Sequence, residues 1–185
     1  MKGIVLAGGR SSRFGENKAL AQIDGQTLLE RMAGLLTRCG FEAVVLASHQ
    51  QDYSDFGLVV KKDLVPAKGP LGGLYSACVY FKNESLLVLT CDMPAVDETM
   101  IQTLRDTHER KDQVTVFNSE DRLQPFPGVY ESKLSNVLLQ RIKKNELRVQ
   151  DFLISLTAVK KIYCEGIDKK LLNVNQKEDL ANFSG

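Results

Sequence analysis

The chain opens on a short apolar run, Gly3-Ile4-Val5-Leu6, that breaks at once into Ala7-Gly8-Gly9. A run of that length reads as a buried strand beginning almost at the first residue. The glycines remove side chains where backbone N–H groups can come close to a ligand. Arg10, Arg13, Gly15 and Lys18 follow in the same loop. Exposed backbone donors and basic side chains together form a cradle for a polyphosphate. The loop matches neither G-x-G-x-x-G nor G-x-x-x-x-G-K-[ST], so neither standard nucleotide fingerprint is present.

The rest of the chain limits what can surround that loop. At 185 residues it is expected to form a single domain, residues 1–185, with a core large enough to need no disulfide or structural metal. A net charge of +1 gives no global field toward nucleic acid or an anionic membrane, so any anion site is local. Cys39, Cys78, Cys91 and Cys164 form no C-x-x-C pair, and neither His49 nor His108 lies at ligand spacing from them. Buried, reduced thiols are expected. Met1-Lys2 leads straight into the strand without a signal-peptide pattern, and no apolar run is long enough to span a bilayer. The expected location is the cytoplasm.

Residues 19–26 read as a short extended piece ending in a turn at Asp24-Gly25. Thr27-Leu28-Leu29-Glu30 is a capping box that opens a helix to about Arg38, with Gly40 as its stop. Residues 41–47 and 57–60 are expected strands, so the order is strand, loop, helix, strand, which favours a parallel sheet with a crossover helix. Lys68-Gly69-Pro70-Leu71-Gly72-Gly73-Leu74 reads as a glycine-rich turn leading into a helix over 74–81. Residues 85–90 are the most hydrophobic strand and end at Cys91-Asp92-Met93-Pro94. Asp97 is a helix N-cap for residues up to about 110. Strands over 114–117 and 126–130 flank a polar, turn-rich stretch at 118–127. Helices over 134–144 and 149–156, a strand over 159–163 and an extended piece at 171–175 complete the order. Asn175-Gln176-Lys177-Glu178 carries a capping signature into a last helix.

Four suggestive clusters fall at expected strand ends, where open α/β sheets collect ligands: Ala7-Gly8-Gly9, Asp63, Asp92, and Asn173 with Asn175. Lys18 and Arg13 suit phosphate. Asp92 either caps a turn or, beside a polyphosphate, ligates a hard cation such as Mg²⁺. Asp63 either pairs with Lys61 or Lys62 or accepts hydrogen bonds from a nucleobase edge.

Taken together, Leu6-Ala7-Gly8-Gly9, Ser12-Arg13-Phe14-Gly15, Lys18, Asp63, Gly69-Pro70-Leu71-Gly72-Gly73, Cys91-Asp92-Met93-Pro94, Pro125, Leu147-Arg148-Val149 and Asn173-Val174-Asn175 resemble the molybdenum cofactor guanylyltransferases. These lie within the glycosyltransferase-A-like nucleotidyltransferases. The resemblance implies an α/β fold: one Rossmann-like, nucleotide-diphospho-sugar-transferase-like domain with a mostly parallel central sheet and helices on both faces. It implies GTP and molybdopterin as substrates, and cofactor-biosynthesis proteins or recipient molybdoenzymes as further partners. Leu6, Ala7, Gly8 and Gly9 would meet the nucleotide, with Asp63 beside it. Lys18 and Arg13 would sit at the phosphates, Asp92 on Mg²⁺, and Gly69, Gly73, Arg148, Asn173 and Asn175 on the pterin. The family's second strand often ends in an asparagine, and here that position is Leu46, with Ser48 two residues on. A cytidylyl or sugar-phosphate nucleotidyltransferase is the alternative reading, and a non-catalytic nucleotide-binding domain is a second.

Overall fold

A computed structural model describes residues 1–8, 14–15, 17–48, 53, 55–119, 122–164 and 166–183. Strand β1 (Lys2–Leu6) is followed by a 3-10 turn at Lys18–Leu20 and a small hairpin, β2 (Gln22–Ile23) and β3 (Gln26–Thr27). Asp24 and Gly25 take positive φ, 51° and 78°, the geometry a two-residue hairpin turn needs. Helix α1 (Leu28–Arg38) starts at the expected capping box: Thr27 Oγ1 accepts from the Glu30 N–H at 3.1 Å, and Glu30 Oε2 accepts from the Thr27 N–H at 3.0 Å. Then come β4 (Ala43–Ala47), β5 (Val59–Lys62), α2 (Gly69–Tyr80), β6 (Ser85–Thr90) and α3 (Glu98–Thr107). The chain closes through β7 (Val114–Ser119), β8 (Arg122–Glu131), α4 (Ser135–Lys143), α5 (Val149–Ile154), β9 (Val159–Tyr163) and two 3-10 segments, Ile167–Leu171 and Lys177–Phe183.

The main sheet has the order β5-β4-β1-β6-β8-β7-β9. Strands β5, β4, β1 and β6 are mutually parallel, β8 runs antiparallel to both β6 and β7, and β9 is parallel to β7. The expected mostly parallel α/β sheet is therefore what forms. Helices cover both faces. A Cβ on Gly3 would meet Leu36 of α1, whereas Leu6 packs on Gly73 of α2, and odd and even strand positions point to opposite sides. The core lies along β1, β4 and β6, where Ile4, Val5, Val45, Leu87 and Val88 are fully buried. No helix among the described residues is long and apolar enough to cross a membrane.

Three local expectations are corrected. The Gly69-Pro70-Leu71-Gly72-Gly73 stretch is the first turn and a half of α2, not a turn preceding it. Pro70 suits a first helical turn, and the glycines serve close packing. A Cβ on Gly72 would lie 2.8 Å from the Val65 carbonyl, and one on Gly73 would lie 3.0 Å from Leu6 Cδ2. Residues 122–125 are strand, although they read as turn. The register steps from Val116 opposite Gly128 to Phe117 opposite Gln124, so Pro125, Phe126 and Pro127 sit in an irregularity. Proline, with no N–H to give, is tolerated in a strand at such a place. At the C-terminal end the carboxylate that reaches back is Asp179, not Glu178. Its Oδ2 accepts from the N–H groups of Asn175 (2.6 Å) and Gln176 (3.0 Å). Of the cysteines, Cys78 and Cys91 are buried as expected, Cys39 is half-buried and Cys164 is exposed.

Alanine exceeds glycine in helix propensity by about 1 kcal/mol, but overpacking against a rigid backbone carbonyl costs about 1–3 kcal/mol. Gly72→Ala should therefore lower the midpoint of urea or thermal unfolding, and an unchanged or raised midpoint would contradict the packing account. Asp97, the N-cap of α3, accepts from the Met100 N–H at 3.0 Å and pairs with Lys170. Burial opposes ionisation of its carboxyl, but the hydrogen bonds from Lys170 and the Met100 N–H outweigh it and hold the pKa below the usual range. A lowered folded-state pKa adds stability above the ordinary carboxylate range that is lost as pH falls through the folded value. Asp97→Asn keeps an acceptor for the cap and removes the charge. It should cost under about 1 kcal/mol near neutral pH, because the pair is solvent-screened. That difference should close as unfolding is measured at progressively lower pH.

Candidate active site

The parallel strands β4, β1 and β6 end on one edge of the sheet, and the candidate site is built from what leaves that edge. Leu6 is in register with Leu46 on one side and Thr90 on the other. Beyond it, the Ala7 N–H donates to the Leu46 carbonyl at 2.9 Å, and the Cys91 N–H donates to the Leu6 carbonyl at 3.3 Å. The segments carrying Ala7-Gly8 and Cys91-Asp92 thus depart side by side. Lys18 arrives from the 3-10 turn, whose N-cap, Asn17, accepts from the Ala19 N–H through Oδ1 at 3.2 Å.

Lys18 and Asp92 meet here. The Lys18 ammonium donates to Asp92 Oδ2 at 2.8 Å and to the Val174 carbonyl at 2.9 Å, and the Val174 N–H donates to the Asp92 carbonyl at 2.8 Å. Both side chains are about one-fifth exposed, enough for a ligand to reach them. Val174 is held from below as well, in a small apolar cluster with Phe14, Ile23 and Leu28. The C-terminal segment therefore belongs to the site. Beside Asp92, the Cys91 thiol is pushed up to about 12 by burial and by the neighbouring carboxylate, which keeps it protonated and unreactive at neutral pH.

Two pockets share the wall formed by Pro70, Thr90 and Asp92. The first, about 210 Å³, lies over Leu6, Ala7 and Gly8 and is bounded by Asn17, Lys18 and Gly69. The second, about 440 Å³, is lined by Arg122, Gln124, Pro125, Arg148 and Asn173 among others. The structure thus brings Leu6, Ala7, Gly8, Lys18, Asp92 and Gly69 together in one pocket, and Asp92, Arg148 and Asn173 in the adjoining one. Gly69 lines the first pocket and not the second.

Three anticipated residues line neither pocket. The Asp63 carboxylate is buried and accepts from Ser76 Oγ at 2.7 Å and from the Val65 N–H at 3.0 Å, tying the end of β5 to α2. It pairs with neither Lys61 nor Lys62 in any bond described. Gly73 lies beneath Leu6, where its missing side chain lets α2 approach β1. Asn175 is exposed beyond Val174. Gly9 and Arg13 lie outside the described residues. Leu46 is a core residue, 1% exposed. The polar group at that strand end is Ser48, whose hydroxyl lies 3.5 Å from where a Cβ on Gly8 would stand.

Sequence reading missed Thr90, Asn17 and Arg122, which line the pockets. Thr90 and Asn17 adjoin residues already singled out, so proximity could have flagged them. Arg122 reaches the second pocket only because β8 extends through the stretch read as turn.

Among the described residues no group of three or more His, Cys, Asp or Glu side chains could cage a metal. The donor set fits a different pattern. Asp92, a single carboxylate in the wall shared by the two pockets, is a side chain that could hold a hard cation together with phosphate oxygens and water.

The comparisons with known proteins agree with this architecture. The MobA-like NTP transferase domain matches residues 3–159. A relative in Aquifex aeolicus named "probable molybdenum cofactor guanylyltransferase" is 33% identical over 180 residues, spanning 97% of this chain and 88% of its own. One of the same name in Clostridium perfringens is 30% identical over 187 residues, spanning 95% and 93%. In fold, the chain matches the crystal structure of molybdopterin-guanine dinucleotide biosynthesis protein A from Archaeoglobus fulgidus, with a TM-score of 0.82 at 21% identity over 98% of this chain and 96% of that one. Because the MobA-like NTP transferase domain matches the chain along most of its length, this protein belongs to that family.

Proposed function

We propose that this protein is a molybdenum cofactor guanylyltransferase, transferring GMP from GTP to the terminal phosphate of molybdopterin and releasing pyrophosphate. The observation that carries the reading is the wall shared by the two pockets, with Asp92 in it and Lys18 paired to Asp92 at 2.8 Å. Two substrates seated on either side of that wall would present their reacting groups to each other. The names of the relatives supply the identity of those substrates.

In this reading the nucleotide occupies the pocket over Leu6, Ala7 and Gly8, and the pterin occupies the pocket with Arg148 and Asn173. A phosphate oxygen of molybdopterin attacks the α-phosphorus of GTP. The bond from that phosphorus to the bridging oxygen breaks, and pyrophosphate leaves with the electron pair. The nucleophile is already ionised at neutral pH, so no general base is needed. The chain's work is positioning and charge neutralisation. Lys18 exchanges its bonds to Asp92 and Val174 for phosphate oxygens and offsets charge developing toward the leaving group. Arg13 is assigned the same task, and Gly9 a place beside the nucleotide. Asp92, with phosphate oxygens, would hold Mg²⁺, which supplies further neutralisation of phosphate charge. A cytoplasmic location belongs to the same reading.

Purified protein incubated with Mg²⁺ and each of GTP, CTP, ATP and UTP should be stabilised against heat by GTP above the others, since a ligand that binds only the native state raises its melting temperature. With molybdopterin added, GTP should yield molybdopterin guanine dinucleotide and pyrophosphate. A preference for CTP would move the assignment to a cytidylyltransferase. Lys18→Ala should lower kcat/KM for GTP about a hundredfold, the loss of about 3 kcal/mol of transition-state stabilisation. Asp92→Asn should abolish turnover while retaining a folded circular-dichroism spectrum. Undiminished turnover in that variant would remove Asp92 from the chemistry.

A further inference from the structure

Tyr53 is 2% exposed, yet its hydroxyl reaches both sides of the first pocket. It lies 3.1 Å from the Ala7 carbonyl, 3.1 Å from Asn17 Nδ2 and 3.2 Å from Asn17 Oδ1. The direction of these bonds can be worked out. Asn17 Oδ1 accepts from the Ala19 N–H at 3.2 Å, which fixes the amide's orientation and leaves Nδ2 as the donor toward Tyr53. The phenol has one proton. With its oxygen accepting from Nδ2, that proton goes to the Ala7 carbonyl. The result is a one-way chain, Asn17 Nδ2–H to Tyr53 O–H to Ala7 C=O.

Both ends of the chain line the pocket. Ala7 is part of its floor, and Asn17 immediately precedes Lys18. The Ala7 N–H is already given to Leu46 at 2.9 Å, so with the Tyr53 bond both backbone polar groups of Ala7 are held, one in each of the peptide units that flank its Cα. The ring is steadied by Phe56, with centroids 6.5 Å apart and planes tilted by 55°. Through one buried oxygen the distance from the strand end to the backbone that carries Lys18 is set.

We infer that Tyr53 is a positioning residue for nucleotide binding, fixing the width of the first pocket between Ala7 and the Asn17-Lys18 backbone. The inference rests on the reading of that pocket as the nucleoside triphosphate site. Tyr53 is not itself among the residues lining the pocket. It acts by holding the Ala7 carbonyl and Lys18 at a separation the nucleotide then meets ready-made, which lowers the cost of ordering them on binding.

The test is Tyr53→Phe, which keeps the ring against Phe56 and deletes only the hydroxyl. Binding of GTP with Mg²⁺ is measured by isothermal titration calorimetry on the full chain, alongside the thermal midpoint. The dissociation constant should rise about tenfold, as for loss of one buried hydrogen bond, with the melting temperature within a few degrees of the parent. A second variant, Asn17→Ala, breaks the chain from the other end. Tyr53→Phe combined with it should weaken binding no further than Asn17→Ala alone, because the two act as a unit. An unchanged dissociation constant in Tyr53→Phe overturns the inference, as does a lowered melting temperature with unaltered binding, or additive losses in the double variant. If the parent protein binds none of the four triphosphates, the nucleotide reading of the pocket falls and takes this inference with it. Equal binding by parent and variant removes the role of Tyr53 alone.

Discussion

Strand β1 is hydrogen-bonded along both edges, to β4 on one side and β6 on the other, and its central residues Ile4 and Val5 have no exposed surface. Every part of the site is referred to that pairing. Because the three strands are parallel, their carboxyl ends fall on one edge, and the residues that follow each strand emerge there together. The register puts Leu6 between Leu46 and Thr90, which places Gly8 beside Ser48 and Asp92 across from the pocket floor. A strand slipped by one residue would turn its buried face outward, so the register that protects the core also aligns the chemistry.

The lysine–aspartate pair is the electrostatic counterpart of that frame. Its side chains are largely removed from water, where an unpartnered charge is costly; each partners the other, and the Lys18 ammonium also donates to the Val174 carbonyl. Val174 has no exposed surface and packs on Phe14, Ile23 and Leu28. An apolar contact therefore holds a polar one in place. The two pockets meet at Asp92 because β6 ends where α2, β8 and the C-terminal segment converge, which brings Pro70 to the shared wall and Arg122 and Asn173 to the second pocket.

Much of this was legible beforehand, for identifiable reasons. Apolar runs bounded by turn residues marked β1, β4, β6 and β9. The Thr27–Glu30 capping box and the Asp97 cap marked α1 and α3, because caps satisfy backbone groups locally and need no distant partner. Lys18 and Asp92 could be singled out because charged residues beside glycines at strand ends have few purely structural uses. The misreadings share a cause. Glycines in α2 looked like a turn because composition does not distinguish a glycine needed for its dihedral angles from one needed for close packing against Val65 or Leu6. Residues 122–125 looked like a turn because the irregularity that accommodates Pro125 and Pro127 exists only in the pairing of β8 with β7. The bond from Ser76 to Asp63 was equally invisible beforehand, because it is supplied by a helix whose packing on the strand end no local pattern reports.

By itself, then, the sequence determined the α/β class and the order of most elements, since these follow from periodicity and capping over short spans; it singled out Lys18 and Asp92 separately, and their pairing came only with the structure. Only the tertiary structure decided which residues share a pocket. Lys18, Asp92 and Val174 are separated by most of the chain and meet through strand register and a buried apolar cluster. Asp63 and Gly73 belong to the scaffold for the same reason, because their neighbours come from α2 and β1 across the fold. Tyr53 joins the site through a single hydroxyl placed by long-range packing. Short-range propensity acts over a few residues, whereas a site is made by contacts between segments the chain brings together only when the core has formed.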